Sequence, residues 1–301
     1  MRPRITVAGG ANGDLVGIPD GGFVPRDSNP GHVKVSAGGV GRNIAENLAR
    51  LGADVRLVTA FGDDDGAASL AEGCTAVGID VRHSIRAIGT PCSRYLAVLD
   101  EAGDLAAAVN DMRALEALTP TRLDPAAFEG AEVVVLDCNL SPDTLVRAVE
   151  LAGTTPVVLD PVSVPKAAGA LPVLEGLTAL KANVKEAEAL TGTTGAEAAA
   201  DRLLRAGVRR AFISLGPDGL WCASAEGSFA VPAVPSAVAN VTGAGDALAA
   251  GIAWGIATGL GMRETALAGV VLAAIALESE RTVSERVSLE ALRSRMKEAQ
   301  A

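Results

Sequence analysis

Histidine, aromatic residues and paired cysteines are all scarce in this sequence, and each shortage excludes something. The two histidines, His32 and His83, cannot build a His-rich metal centre. The four cysteines, Cys74, Cys92, Cys138 and Cys222, stand far apart without a C-x-x-C pair, which argues against a disulfide framework or a zinc knuckle. Aromatics make up 3% of a chain that is 49% apolar, so the core has to be built from Ala, Val, Leu and Ile. No apolar run is long enough to cross a bilayer; Leu248–Leu260 comes nearest and is interrupted by three glycines. Basic residues number 26 against 36 acidic ones, and a net charge of −10 disfavours binding to a nucleic-acid polymer. Met1-Arg-Pro-Arg4 leads into the strand-like Ile5-Thr-Val7 and not into a signal-peptide pattern, so a cytoplasmic location and no membrane partner are expected.

What the sequence does have is an α/β rhythm. Short β-rich runs recur at Ile5–Val7, Val55–Thr59, Val133–Leu136, Val157–Leu159 and Ala211–Leu215. Helical patterns lie between them: Ile44, Leu48 and Leu51 share a face, Ser141-Pro-Asp caps a second helix, and Ala196–Arg205 forms a third that closes at Gly207. Strands alternating with helices imply parallel β-α-β units. Two regions break the rhythm. His32–Ser36 alternates like a strand, and Tyr95–Leu99 and Leu105–Val109 flank Asp100–Asp104 as a hairpin. Such inserted strands form either a small sheet that covers a site, the favoured reading, or an extension of the main sheet's edge. The expectation is a single domain over residues 1–301, with lid strands from about 15–37 and 92–112.

The chemistry concentrates in a few segments. In Asn240-Val-Thr-Gly-Ala-Gly-Asp246, Gly243 and Gly245 free backbone N–H groups for an anion at the start of an apolar helix, with Asp246 in its first turn. A helix start stabilises a transferring phosphoryl group, and a carboxylate there can take the proton of an attacking hydroxyl. In isolation the motif also fits a helix entry that Asp246 merely caps. A second glycine turn, Ser36-Ala-Gly-Gly-Val-Gly-Arg-Asn43, opens a helix far upstream, where Asn43 offers a donor and an acceptor to sugar hydroxyls. Asn12 and Asp14 read locally as turn residues after the first strand, placed to chelate a vicinal diol. Asn183 and Glu186, at i, i+3, share the first turn of a helix, either as a surface cap or steering Mg2+ through water. Ile213–Gly219 ends a strand in a tight turn that suits the wall of a nucleotide site.

These segments, in this order, resemble the ribokinase (PfkB-type) family of carbohydrate and nucleoside kinases, over essentially the whole chain. The G-G-x-x-x-N turn is Gly38–Asn43, the N-x-x-E pair is Asn183–Glu186, and the G-A-G-D signature is Gly243–Asp246. Asp27–Gly31, Gly38–Leu48, Asn110–Met112, Asp137-Cys-Asn139, Asp160–Ser163 and Asn240–Asp246 resemble its pseudouridine-phosphorylating branch most. Ala182 departs from the family's usual proline before the asparagine. The resemblance implies a ribokinase-like three-layer α/β/α sandwich with a small β-sheet lid that often serves as a homodimer clasp. It implies Asp246 as general base for a nucleoside 5′-hydroxyl, beside an anion hole made by Gly243, Ala244, Gly245 and Asp246. Asn12, Asp14, Gly39, Gly41 and Asn43 would hold the ribose, while Asn183 and Glu186 organise Mg2+. Ser214, Gly216 and Gly219 would lie along ATP, with Thr242 at a phosphate or K+ site. The base of pseudouridine carries an extra ring N–H, for which Ser93, Tyr95, Asn110, Asp111 and Asn139 are candidate partners; Ser93 and Tyr95 equally fit ordinary lid-strand positions. Lys166 faces either phosphate or solvent. The alternatives are another sugar or nucleoside kinase, acting on ribose, adenosine or fructose phosphate, or a catalytically silent ligand-binding homologue.

Overall fold

A computed structural model describes residues 2–300. The first third runs β1 (Arg4–Ala8), β2 (Asn12–Pro19), β3 (Gly31–Gly38), α1 (Val40–Arg50), β4 (Asp54–Val58), β5 (Ala60–Phe61), α2 (Asp65–Ala76) and β6 (Ile85–Arg86). It continues through β7 (Arg94–Leu99), β8 (Leu105–Asp111), α3 (Arg113–Glu116), β9 (Val133–Asp137), α4 (Pro142–Ala152), β10 (Val157–Asp160) and α5 (Val164–Ala167). The last part holds β11 (Ala179–Asn183), α6 (Val184–Thr191), α7 (Ala196–Arg205), β12 (Arg210–Ser214), β13 (Leu220–Ser224) and β14 (Gly227–Val231). It ends with α8 (Ala244–Ala257), α9 (Met262–Leu277) and α10 (Leu289–Gln300).

Eight strands form the main sheet in the order β14-β13-β12-β11-β10-β9-β1-β4. The strands from β12 to β4 are parallel, and β13 and β14 add an antiparallel edge. Parallel strands covered on both faces need continuous apolar runs, which Val133-Val-Val-Leu136 supplies, fully buried throughout. Side chains alternate across the sheet. Ile5, Val7, Val133 and Val135 join the core beneath α1, α8 and α9, whereas Ala8, Val134 and Leu136 join the core that contains α4 and α7 residues. This is the α/β/α sandwich expected. Small residues replace the missing aromatics where helices meet: a Cβ on Gly251 of α8 would stand 2.6 Å from the Ala268 carbonyl oxygen of α9. That close approach lets Ala, Val and Leu fill the space without large rings.

Strands β3-β2-β7-β8 make a second, separate sheet, so the inserted strands do not extend the main sheet's edge. In-register pairing lines Ser36, Asp14, Tyr95 and Asn110 across one face. Alternation puts Val35, Leu15, Leu96 and Val109 on the other, where Val35 is 73% and Val109 64% exposed. Asn12 and Asp14, expected in a turn, instead begin β2. The turn is made earlier, by Gly9 and Gly10, and β2 is held into the sheet from Asn12, opposite Gly38, onward.

Candidate active site

The site lies at the carboxyl ends of the parallel strands, where open α/β sheets place their ligands. Helix α8 starts there. Its N-cap, Gly243, has φ 87, and a Cβ at that position would meet the Thr282 carbonyl oxygen at 2.0 Å, so only glycine fits. The first helical bond runs from Ala247 N to Gly243 O (2.9 Å). By helix geometry the amides of Gly245 and Asp246 therefore face outward from the helix start, while the Ala244 amide makes a long 3.4 Å bond to the Val241 carbonyl. Thr242 is tied in beside them: its N–H donates to Asn240 Oδ1 at 2.9 Å, and Asn240 Nδ2 donates to the Glu280 carbonyl at 3.1 Å.

Opposite stands α1. Gly39, its N-cap, has φ 95, and a Cβ there would lie 2.5 Å from Gly10 O; a Cβ on Gly41 would lie 2.9 Å from Gly9 Cα. This contact presses the two glycine segments together and brings Asn43 to α8, where its Nδ2 donates to Asp246 Oδ2 at 2.6 Å. Asp14 accepts from Asn12 Nδ2 at 2.5 Å, and burial raises its carboxyl above the usual value.

Beneath these residues lies a group of buried charges. Asp137 and Asp160 are register partners at the ends of β9 and β10. Asp137 accepts from Gly10 N (2.9 Å) and Asn139 N (2.8 Å), and burial pushes its carboxyl up to about 6. Asp160 pairs with Lys181 Nζ at 2.8 Å and accepts from Val162 N at 2.7 Å. Val162, although β-branched, has φ 69. Burial opposes the Lys181 charge, but the carboxylates of Asp160 and Glu186 outweigh it and hold the amine above its ordinary value. Lys181 Nζ lies so near α8 that a Cβ on Gly245 would stand 2.9 Å from it. Asp246 is pushed up to about 7, first by burial and then by the Asp160 charge, against the Asn43 hydrogen bond and Lys181.

Asn183 and Glu186 form a reciprocal capping box on α6. Asn183 Oδ1 accepts from Glu186 N and Glu186 Oε2 accepts from Asn183 N, both at 2.9 Å. That engages one oxygen of each side chain and leaves Glu186 Oε1 outside the box. Among the described residues no cluster of three or more His, Cys, Asp or Glu is assembled to hold a metal. The donor set therefore fits a Mg2+ ion carried mainly by phosphates and water, near a single carboxylate. Ser214 is the register partner of Asn183, and Gly216 and Gly219 follow it with φ 63 and 95.

The candidates for reading a base are less unified. The Ser93 hydroxyl is buried without a hydrogen-bond partner among the described residues, while Tyr95 and Asn110 lie on the same face of the second sheet as Asp14. Asn139 Oδ1 accepts from Lys166 Nζ, whose amine is lowered by burial. Lys166 is thus partly buried beside Asn139 and is not a free surface group. Asp111 alternates to the opposite face of the second sheet and pairs with Arg113 at 2.6 Å, so it does not join the polar row. Sequence reasoning assigned no role to Arg42, Asp137, Asp160 or Lys181. The available signal was a charged side chain closing an otherwise apolar strand, as in Val-Val-Val-Leu-Asp137 and Val-Val-Leu-Asp160.

A carboxylate poised near neutrality beside outward-facing amides is the layout of an enzyme that transfers a phosphoryl group to an alcohol. Comparison with known proteins agrees. Residues 2–287 match the model of the pfkB family carbohydrate kinases, and the chain belongs to that family. It is 35% identical over 294 residues to a protein of Escherichia coli (strain K12) named pseudouridine kinase, covering 95% of this chain and 94% of that one. A carbohydrate kinase from Agrobacterium tumefaciens superposes with TM-score 0.86 at 30% identity, covering 98% of this chain and 97% of that one. The Arabidopsis thaliana ribokinase, solved with ribose and ATP, superposes with TM-score 0.86 over 99% of both chains; at 19% identity it speaks for the fold alone.

Proposed function

We propose that this kinase transfers the γ-phosphoryl group of ATP to the 5′-hydroxyl of pseudouridine, giving pseudouridine 5′-phosphate and ADP, as one kinase domain over residues 1–301. The observation that carries the chemistry is the Asn43-bound Asp246 carboxylate beside the amides of the α8 start. Asp246 takes the proton from the attacking hydroxyl as its oxygen bonds to phosphorus. The amides of Gly245 and Asp246 receive the negative charge of the phosphoryl oxygens, and the bond to the ADP oxygen breaks. Asn12 and Asp14 hold the ribose diol, and Ser214, Gly216 and Gly219 flank the nucleotide. Glu186, with Asn183, would orient Mg2+ through water, and Thr242 would line the phosphate side or a K+ site.

The pseudouridine reading is supported by the likeness to the E. coli pseudouridine kinase and by the polar lid row with the unpartnered Ser93 hydroxyl. A buried acceptor that needs the extra ring N–H discriminates by up to ~10⁴-fold, because uridine leaves it unpaired. The exposed apolar face of the lid, Val35, Leu96 and Val109, supports a homodimer joined through that sheet. A phosphoryl-transfer assay with ATP, Mg2+ and a panel of pseudouridine, uridine, adenosine, ribose and fructose phosphate decides the substrate. Preferred turnover of pseudouridine is expected. Turnover of ribose or adenosine without pseudouridine removes the substrate assignment and leaves the kinase class standing.

A further inference from the structure

We propose that Arg42 is a positioning residue for phosphoryl transfer, acting by holding the Asn43 amide in the one orientation that serves Asp246. The inference rests on the reading of Asp246 as general base. Arg42 is buried at 6% exposure in the first turn of α1, directly behind the glycine turn. Its guanidinium divides its donors among three partners. Nε reaches the Gly38 carbonyl at 3.1 Å, Nη1 reaches Glu46 Oε2 at 2.6 Å, and Nη2 donates to Asn43 Oδ1.

A side-chain amide has an oxygen end that accepts and a nitrogen end that donates, and the two ends are nearly the same shape. Rotation about its last bond exchanges them. At Asn43 the exchange is forbidden from both sides. The guanidinium only donates and claims the oxygen, while the Asp246 carboxylate only accepts and claims the NH2 group. A flipped amide would set N–H against N–H at Arg42 and oxygen against oxygen at Asp246. Without Arg42, nothing among the hydrogen bonds of the Asn43 side chain selects the productive orientation except Asp246 itself. The other groups acting on Asp246, namely Asp160 on β10, Lys181 on β11 and Asp137 on β9, carry charge but do not touch Asn43 through any of their hydrogen bonds.

The fork geometry also joins two parts of the site. Gly38 ends the lid strand β3, and the Asp14 carboxylate packs so tightly there that a Cβ on Gly38 would lie 2.3 Å from Asp14 Oδ2. The positive charge of Arg42 acts on Asp14 as well. One buried cation therefore connects the diol-binding end of the lid to the base. A lysine, with a single point charge, cannot span three acceptors in this way.

The test is a kinetic cycle of Arg42→Met, Asn43→Ala and the double variant, run beside Asp246→Asn with the best nucleoside of the panel. Arg42→Met keeps the side-chain volume, and Glu46 keeps Arg50, which donates to its Oε1 at 2.9 and 2.7 Å. We expect kcat to fall about 10- to 100-fold with the KM for ATP held within about twofold, the size of loss that misplacement of a reacting group produces. In the Asn43→Ala background, Arg42→Met should cost less than about twofold more, because its effect passes through that amide. Thermal melts establish that each variant is folded; if Arg42→Met is not, Arg42→Lys takes its place in the same cycle with the same expectation. A wild-type kcat, or losses that multiply in the double variant, overturns the positioning role while an inactive Asp246→Asn leaves the base assignment intact. An active Asp246→Asn overturns both.

Discussion

Asn43 and Asp246, 203 positions apart in sequence, are joined by a 2.6 Å hydrogen bond from the amide to the carboxylate. The bond links the two glycine-led helix starts, α1 and α8, and it favours the ionised form of an acid that burial would otherwise keep neutral.

Replacing Asp246 by Asn should lower turnover about 10²- to 10⁴-fold, the contribution of a positioned general base. The same change should stabilise the fold at pH 8. The folded carboxyl titrates near 7 against an ordinary 3.8, so across that window the native state binds the proton more tightly than the unfolded chain. Stability is present at low pH and is lost as pH rises from 3.8 through about 7. Asn removes that loss, which at about 1.4 kcal/mol per unit amounts to a few kcal/mol at most. Melting curves at pH 5 and pH 8 check it: the variant should gain on the wild type at both, and clearly more at pH 8.

The pH dependence of kcat/KM should carry an acid limb with its midpoint near 7, the value to which Asp246 is pushed. Activity should fall about tenfold per unit below it, since only the ionised base accepts the hydroxyl proton. A profile flat down to pH 5 would remove Asp246 from that role.

Lys181→Met should destabilise the fold by about 3–5 kcal/mol, because it strands Asp160 as an unpaired buried charge. It should also move the acid limb upward, since Lys181 is one of the two groups that favour the Asp246 carboxylate. Urea unfolding and the pH–rate profile read the two effects separately.

Gly243→Ala places a Cβ 2.0 Å from the Thr282 carbonyl oxygen at a left-handed backbone position. The turn has to shift, so both turnover and stability should drop, the latter by about 1–3 kcal/mol. Wild-type melting and kinetics in this variant would show that the α8 start is not so constrained.

Ser93→Ala should leave stability within about 0.5 kcal/mol of wild type, because its buried hydroxyl has no partner among the described residues to lose. If that hydroxyl is reserved for the nucleoside, KM for pseudouridine should rise while KM for ATP stays. Unchanged KM for both would assign Ser93 to packing alone.

Elements marked by local chemistry were legible in the sequence. Ala196–Arg205 coincides with α7, Ser141 caps α4 by accepting from Thr144 N at 3.2 Å, and the Gly243–Asp246 segment opens α8. The start of β2 was not. Gly13 and Gly17 dilute its alternation, and its partners, β3 and β7, are supplied from elsewhere in the chain. The buried charges were hidden for a related reason. Asp137, Asp160 and Lys181 each stand alone in sequence, and only the register of parallel strands and the approach of α8 bring them under Asp246. At Arg42 the glycines and Asn43 dominate the motif, and nothing in their spacing says where the intervening guanidinium points.

Asn12 and Asp14 are themselves residues of the second sheet. If Asn12 and Asp14 hold the sugar as proposed, grip and shelter are one piece of backbone, and whatever swings that sheet aside also loosens the grip. On that reading, releasing a product and readmitting water become a single event.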